Sequence, residues 1–194
     1  PRGRAGLSFD LGAGSTLWHA RQAAIEAERA RREAVTAEAA TRFLERLFSS
    51  ALPLDDGDAG MTARDLLKRG AQRARIEFEN DPELRFRLLT TIGQNYATMG
   101  EDSTAVELFR EALSIESAEI GPVTRATTAY QLATSSFLLG RMDEPLVATA
   151  LDWVGQATHP SALALRSSLL RLRGDIQIIS GRYLQGMHDH ETAR

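Results

Sequence analysis

Leu88 to Leu113 reads LLTTIGQNYATMGEDSTAVELFREAL, and the order of its residue types decides the fold. Its first part, up to about Met99, reads as a helix. Gly100 supplies the residue type that takes a left-handed backbone at no steric cost, so the helix ends there. Asp102 opens a second helix. Helix, short turn, helix is a helical hairpin.

The same order extends outward from this stretch. Asp81-Pro82 opens the first helix, which reaches about Met99; the second runs to about Ser117, and Gly121-Pro122 breaks the chain. A helix from about Val123 to Leu139, then Gly140, then a helix from about Asp143 to Gln156 repeat the pattern up to His159-Pro160. A third unit begins at Ser161, turns at Gly181 and is expected to be cut short by the C-terminus. Gly100, Gly140 and Gly181 lie 40 and 41 residues apart, and Asp58 sits 42 before Gly100. A fixed period of this size marks a solenoid, because one amphipathic hairpin cannot cover its own apolar face and must stack on a neighbour.

Toward the N-terminus, Thr62 and Asp65 read as a capped helix start that runs to about Asn80. Ser49 to Gly60, SSALPLDDGDAG, supplies turn chemistry through Pro53 and an Asp/Gly cluster. Residues 18–50 form one candidate helix, in which Ala23, Ala27, Ala30, Ala34, Ala37, Thr41, Leu44 and Phe48 alternate at spacings of four and three. That is a heptad seam. Its alanines carry little apolar surface, so packing on its own chain is the leading expectation. A dimer seam through Ala27, Ala30, Ala34, Ala37, Leu44 and Phe48 is the second. Residues 1–17 are too polar and glycine-rich to cross a bilayer, which takes about 20 apolar residues; they are expected to be an irregular stump of a membrane segment, and both termini are expected to be cuts.

Composition narrows the function. A 43% hydrophobic and 25% charged chain has the make-up of a folded domain. A net charge of -3 with no clustered basic face gives no footprint for nucleic acid. With no cysteine, thiolate metal sites, disulfides and cysteine nucleophiles are excluded. LGAGST, Leu11 to Thr16, lacks the Gly-Lys-Ser/Thr ending of a phosphate loop. His188 and His190 stand two apart, whereas helical ligand pairs stand three or four apart, so both are read as surface residues and no metal is expected. No G-x-S-x-G elbow frames any serine. The mixed charges of Glu26 to Glu33, EAERARRE, read as a solvated face. No catalytic residue, cofactor or nucleic-acid partner is assigned, and membrane association is expected only through a longer parent protein.

Position by position, Leu88 to Leu113 resembles a tetratricopeptide (TPR) repeat: Leu89, the Ile92-Gly93 pair, Tyr96, Gly100, Ala105, Phe109 and Ala112 fall on the family's recurring residues. In that pattern Gly93 and Ala105 let the two helices approach, and Tyr96 and Phe109 fill the space between them. The second unit departs, with Ala133 for the glycine, Ser136 for the aromatic and Pro145 for the small residue; the third keeps Gly174 and Gly181 but has Gln177 at the aromatic position. Over Trp18 to Leu113 the chain also resembles the region after the kinase domain of certain bacterial membrane-anchored serine/threonine protein kinases. EAERARREAVTAEA, FLERLF, DDGDAG, TARDLLKRGAQRARIEF and PELRFRLLTTIGQNYATMG fall in that order.

The resemblance implies an all-α, right-handed TPR-like hairpin solenoid after a long N-terminal helix. Its parts are a stump at 1–17, the Ala-rich helix and acidic loop at 18–60, and repeats over 61–194 (best unit 82–117, degenerate 122–157, truncated 160–194). It further implies a non-catalytic scaffold holding a protein or peptide, a sensory or docking region on the extracytoplasmic side of a membrane-anchored kinase. A dimerisation module and the tail of a cytoplasmic regulator are the alternatives. The groove of such a solenoid would present Arg87, Gln94, Tyr130, Thr134, Arg171 and Asp175, and Arg87 and Arg171 suit a ligand carboxylate because a guanidinium fork binds it through two hydrogen bonds.

Overall fold

The computed structural model describes residues 20–24, 27, 28, 31, 34, 35, 38, 39, 41–43, 45, 62–155 and 159–194. Among these the chain is all-α, with no strand. It divides into two compact units, Pro1–Glu45 and Arg46–Arg194.

In the first unit the described residues from Ala20 to Glu45 are helical. Of the proposed seam, Ala27 and Ala34 are exposed, as are Ala23 and Thr41, whereas Phe43, off the seam, is fully buried. The expectation that this seam packs on its own chain does not hold at those four positions. Ala30, Ala37, Leu44 and Phe48 lie outside the described residues, as do the stump at 1–17 and the acidic loop.

Among its described residues the second unit has seven helices: α1 (Ala63–Glu77), α2 (Pro82–Thr98), α3 (Asp102–Leu113), α4 (Pro122–Leu138), α5 (Glu144–Val154), α6 (Pro160–Ile179) and α7 (Tyr183–Thr192). Their starts follow local chemistry. Thr62 and Asp65 form a reciprocal capping box on α1, and the carboxylates of Asp81 and Asp143 accept from the amides of Leu84 and Leu146. Proline occupies the first turn of α2, α4, α5 and α6, where its missing N–H costs nothing. The turns after α2, α4 and α6 pass through Gly100, Gly140 and Gly181 at φ of 75°, 74° and 80°. A side chain there would be strained, and this fixes the hairpin period.

Each helix packs on its neighbour in sequence. In addition α2 touches α4 and α4 touches α6, with Thr90 Oγ1 3.3 Å from Thr128 Oγ1, while α3, α5 and α7 do not meet one another. First helices that touch and second helices that diverge make a curved stack, with α2, α4 and α6 on its inner side. The hairpins are also joined by a repeated arginine. Arg125 on α4 donates to the carbonyls of Leu113 and Ile115 at the end of α3, and Arg166 on α6 donates to Gly155 at the end of α5. A guanidinium there satisfies carbonyls that a helix terminus leaves open and meets the negative end of its dipole.

The three hairpins close differently. In α2–α3, Gly93 lies against Phe109, and a Cβ there would sit 2.9 Å from Cε1 of the ring; Phe109, Ala105, Ala112 and Leu89 are all fully buried. In α4–α5 the turn is longer and α5 starts at Glu144, so Pro145 is exposed in the first turn and Val147, Ala150 and Val154 are buried instead. The assignment of Pro145 to the small packing position is therefore wrong: the packing face of α5 lies further along the chain. The third unit, expected to be truncated, holds both helices. Gly174 meets Gly186, a Cβ on either coming within 2.9 Å or less of the other's carbonyl oxygen, and His190 packs over Gly174. His190 is thus partly spent on packing while its side chain stays 36% exposed, and its Nε2 stands 3.1 Å from Asp175 Oδ1.

Candidate functional site

Side chains on the inner helices that are not spent on packing are the ones free to meet a partner. Gln94 is exposed near the end of α2, and Tyr130 and Thr134 are half-buried on α4. These three line one pocket of about 260 Å³, together with Ala97 and Thr98 of α2, Asp102 and Phe109 of α3, and Gln131, Ser135 and Leu138 of α4. The contact between α2 and α4 brings them together.

Arg87, Arg171 and Asp175 do not line this pocket. Arg87 holds Glu83 one turn away, with Nη2 2.9 Å and Nε 3.1 Å from the same carboxylate oxygen. A pair this exposed is worth about 0.5 kcal/mol and yields readily to another anion. Arg171 is exposed on α6, with no ion pair among the described residues. Asp175 is half-exposed and faces His190, so it belongs partly to the closure of the third hairpin.

The polar chemistry near the pocket has a consistent direction. The hydroxyl of Thr98 donates to the carbonyl of Gln94, and that of Thr134 donates to the carbonyl of Tyr130, each at 2.8–2.9 Å. Both protons are committed within their own helices, so toward the pocket these hydroxyls offer lone pairs. Asp102 Oδ1 and Gln131 Oε1 are buried with no hydrogen-bond partner. In the sequence Asp102 marks only a helix start and nothing marks Gln131, because spacing alone carries no signal that an acceptor will lack a donor.

A second polar cluster sits at the joint of α5, α6 and α7. Arg173 grips Asp189 with two bonds of 2.6 and 2.7 Å, and Glu144 accepts from Gln177 and Arg182. The hydrogen bond from Arg182, then that from Gln177, hold the Glu144 carboxyl below the ordinary carboxylate range. The Asp189 hydrogen bond raises the Arg173 guanidinium above its ordinary value. At the other end, Arg75 holds Glu111 through two bonds of 2.7 Å, Arg64 pairs with Glu101, and the Tyr96 hydroxyl donates to the Arg64 carbonyl. Burial, and next the negative charge of Glu101, push the Tyr96 phenol up. These ties fix α1 to the first hairpin.

Among the described residues no group of three or more His, Asp or Glu is placed to hold a metal ion, and no helix is long and apolar enough to cross a membrane. No protein-family model matches the chain, and no curated protein matches it. Among solved structures, one described as the crystal structure of MamA is similar with a TM-score of 0.43 at 19% identity, covering 73% of this chain and 74% of that one.

Proposed function

We propose that the chain is a non-catalytic scaffold that holds an extended segment of another protein along the inner face of α2, α4 and α6. The observation that carries this reading is the pocket between α2 and α4, which gathers Gln94, Tyr130 and Thr134 on the side where the first helices meet. A row of adjoining helices with polar and aromatic side chains unspent on packing suits a peptide, whose backbone needs hydrogen bonds and whose side chains need shallow recesses.

The test is capture of a partner from an extract of the source cells. Wild-type chain, Tyr130→Ala/Thr134→Arg on the inner face and Arg110→Ala on exposed α3 are compared, and captured proteins are identified by mass spectrometry. The reading expects a protein retained by wild type and Arg110→Ala and lost with the inner-face variant. A partner indifferent to the inner-face changes contradicts it.

The resemblance over Trp18 to Leu113 extends the proposal to a parent protein, a membrane-anchored bacterial serine/threonine kinase with this region on the extracytoplasmic side. A coding sequence without a kinase domain and an apolar span upstream would end that extension. A second reading, dimerisation through the N-terminal helix, is favoured by the exposure of Ala23, Ala27 and Ala34. Sedimentation decides it: a chain that remains monomeric with residues 1–50 intact rules it out.

A further inference from the structure

The groove was expected to favour an acidic ligand through Arg87 and Arg171, yet the pocket itself has the opposite character. Asp102 lies in the first turn of α3, where a carboxylate is favoured by the helix dipole. The dipole accounts for the residue type, but not for a buried oxygen, Oδ1, without a hydrogen bond. No Arg, Lys or His of the described residues pairs with it, whereas Glu101 pairs with Arg64 and Glu111 with Arg75. Gln131 of α4, which lines the same pocket, has a second buried oxygen in the same condition. A buried acceptor left unmade costs about 1–3 kcal/mol, more for a charged group. Both residues line the one recess, so a donor entering it would find acceptors that the chain itself leaves unpaired.

The surroundings define that donor. Thr98 and Thr134 turn lone pairs toward the space, since their protons are bound to Gln94 and Tyr130 carbonyls. Tyr130 supplies an aromatic wall, and Leu138 and Ala97 supply apolar surface. Acceptors, a carboxylate, an aromatic face and an apolar lining suit a side chain with an aliphatic stem and a cationic head. We propose that the pocket between α2 and α4 binds a lysine or arginine side chain of the partner, paired with Asp102 and hydrogen-bonded to Gln131. The inference rests on the reading of this face as a peptide groove, and it makes the ligand basic at this point.

The experiment is a titration of the full isotope-labelled chain, followed by the shifts of its backbone amides. The probes are N-acetyl-lysine methylamide, its uncharged norleucine counterpart and N-acetyl-glutamate methylamide. The lysine probe is expected to give saturable shifts centred on Asp102, Tyr130, Gln131 and Thr134, with the other two giving little. Asp102→Asn should weaken it roughly tenfold, and Gln131→Glu, which adds a second carboxylate, should tighten it roughly threefold or more. Unchanged spectra away from the pocket show that each variant is folded, and the gain expected from Gln131→Glu cannot come from unfolding. Norleucine or glutamate binding as well as lysine at the same amides overturns the cation site and leaves the groove standing. Shifts with no probe, or equal lysine binding by Asp102→Asn, also overturn it, whereas the groove itself falls only if partner capture ignores the inner-face variant.

Discussion

The first and third hairpins solve one geometric problem with different materials. Both cross at a glycine, Gly93 in α2 and Gly174 in α6, so that paired helices approach closely. In the first, the facing residue is an aromatic ring, Phe109, set among buried Leu89, Ile92 and Val106. In the third, the facing residue is a second glycine, Gly186, and the helices meet backbone to backbone. Burial that Phe109 supplies in the first hairpin is replaced in the third by the Arg173–Asp189 pair and the Glu144 cluster. The lesson is that a repeat's geometry persists while its stabilisation passes from apolar packing to charge and close backbone contact.

Truncating the aromatic should break the comparison hardest. Phe109→Ala empties the centre of the first hairpin and is expected to cost about 4 kcal/mol, read as a fall in the chemical-denaturation midpoint. The next effect belongs to Gly186→Ala. Its new Cβ would lie 2.6 Å from Ile178 Cγ1 and 2.7 Å from the Gly174 carbonyl, and backbone cannot step aside as a side chain can. About 3 kcal/mol is expected, against about 1 kcal/mol for Gly93→Ala, where the Phe109 ring can shift by a few tenths of an ångström. Equal losses from the two substitutions would show that the closures do not differ as described.

Asp189→Ala sharpens the same contrast. The Asp189 side chain is only 7% exposed and takes both bonds of Arg173, so removal is expected to cost about 2 kcal/mol. Hydrogen exchange should quicken in α6 and α7 and stay unchanged in α2 and α3. The smallest effect is that of acid. Glu144 has its carboxyl lowered in the folded state, so the stability it lends is complete above the ordinary carboxylate range, about pH 4, and is lost as pH falls through the lowered value. Exchange at the α5–α6–α7 joint should therefore rise on acidification below that range, and Glu144→Gln should remove that part of the response.

Much of the fold was legible because it rests on local chemistry. Asp81-Pro82, Gly100, Gly140 and Gly181 punctuate helices by conformational rules that hold within a few residues, and the structure places turns at those glycines. The second and third hairpins were harder. Pro145 was counted by fixed offset from Gly140, but a longer turn moves the packing face to Val147. Gly186 and His190 gave no apolar signal, since one has no side chain and the other is polar, and only the approach of α7 to Gly174 reveals their part. Of the groove positions, Gln94, Tyr130 and Thr134 share a recess because their helices touch, while Asp102 and Gln131 could be found only by asking which buried acceptors lack a donor.

The central claim is that the inner face of the first helices holds a partner. Hydrogen exchange of the chain, alone and with its captured partner, tests it most directly. The account predicts that protection on binding gathers on α2, α4 and α6 and is strongest around Tyr130 and Thr134. Protection confined to the second helices α3 and α5, or to residues before Thr62, would contradict it.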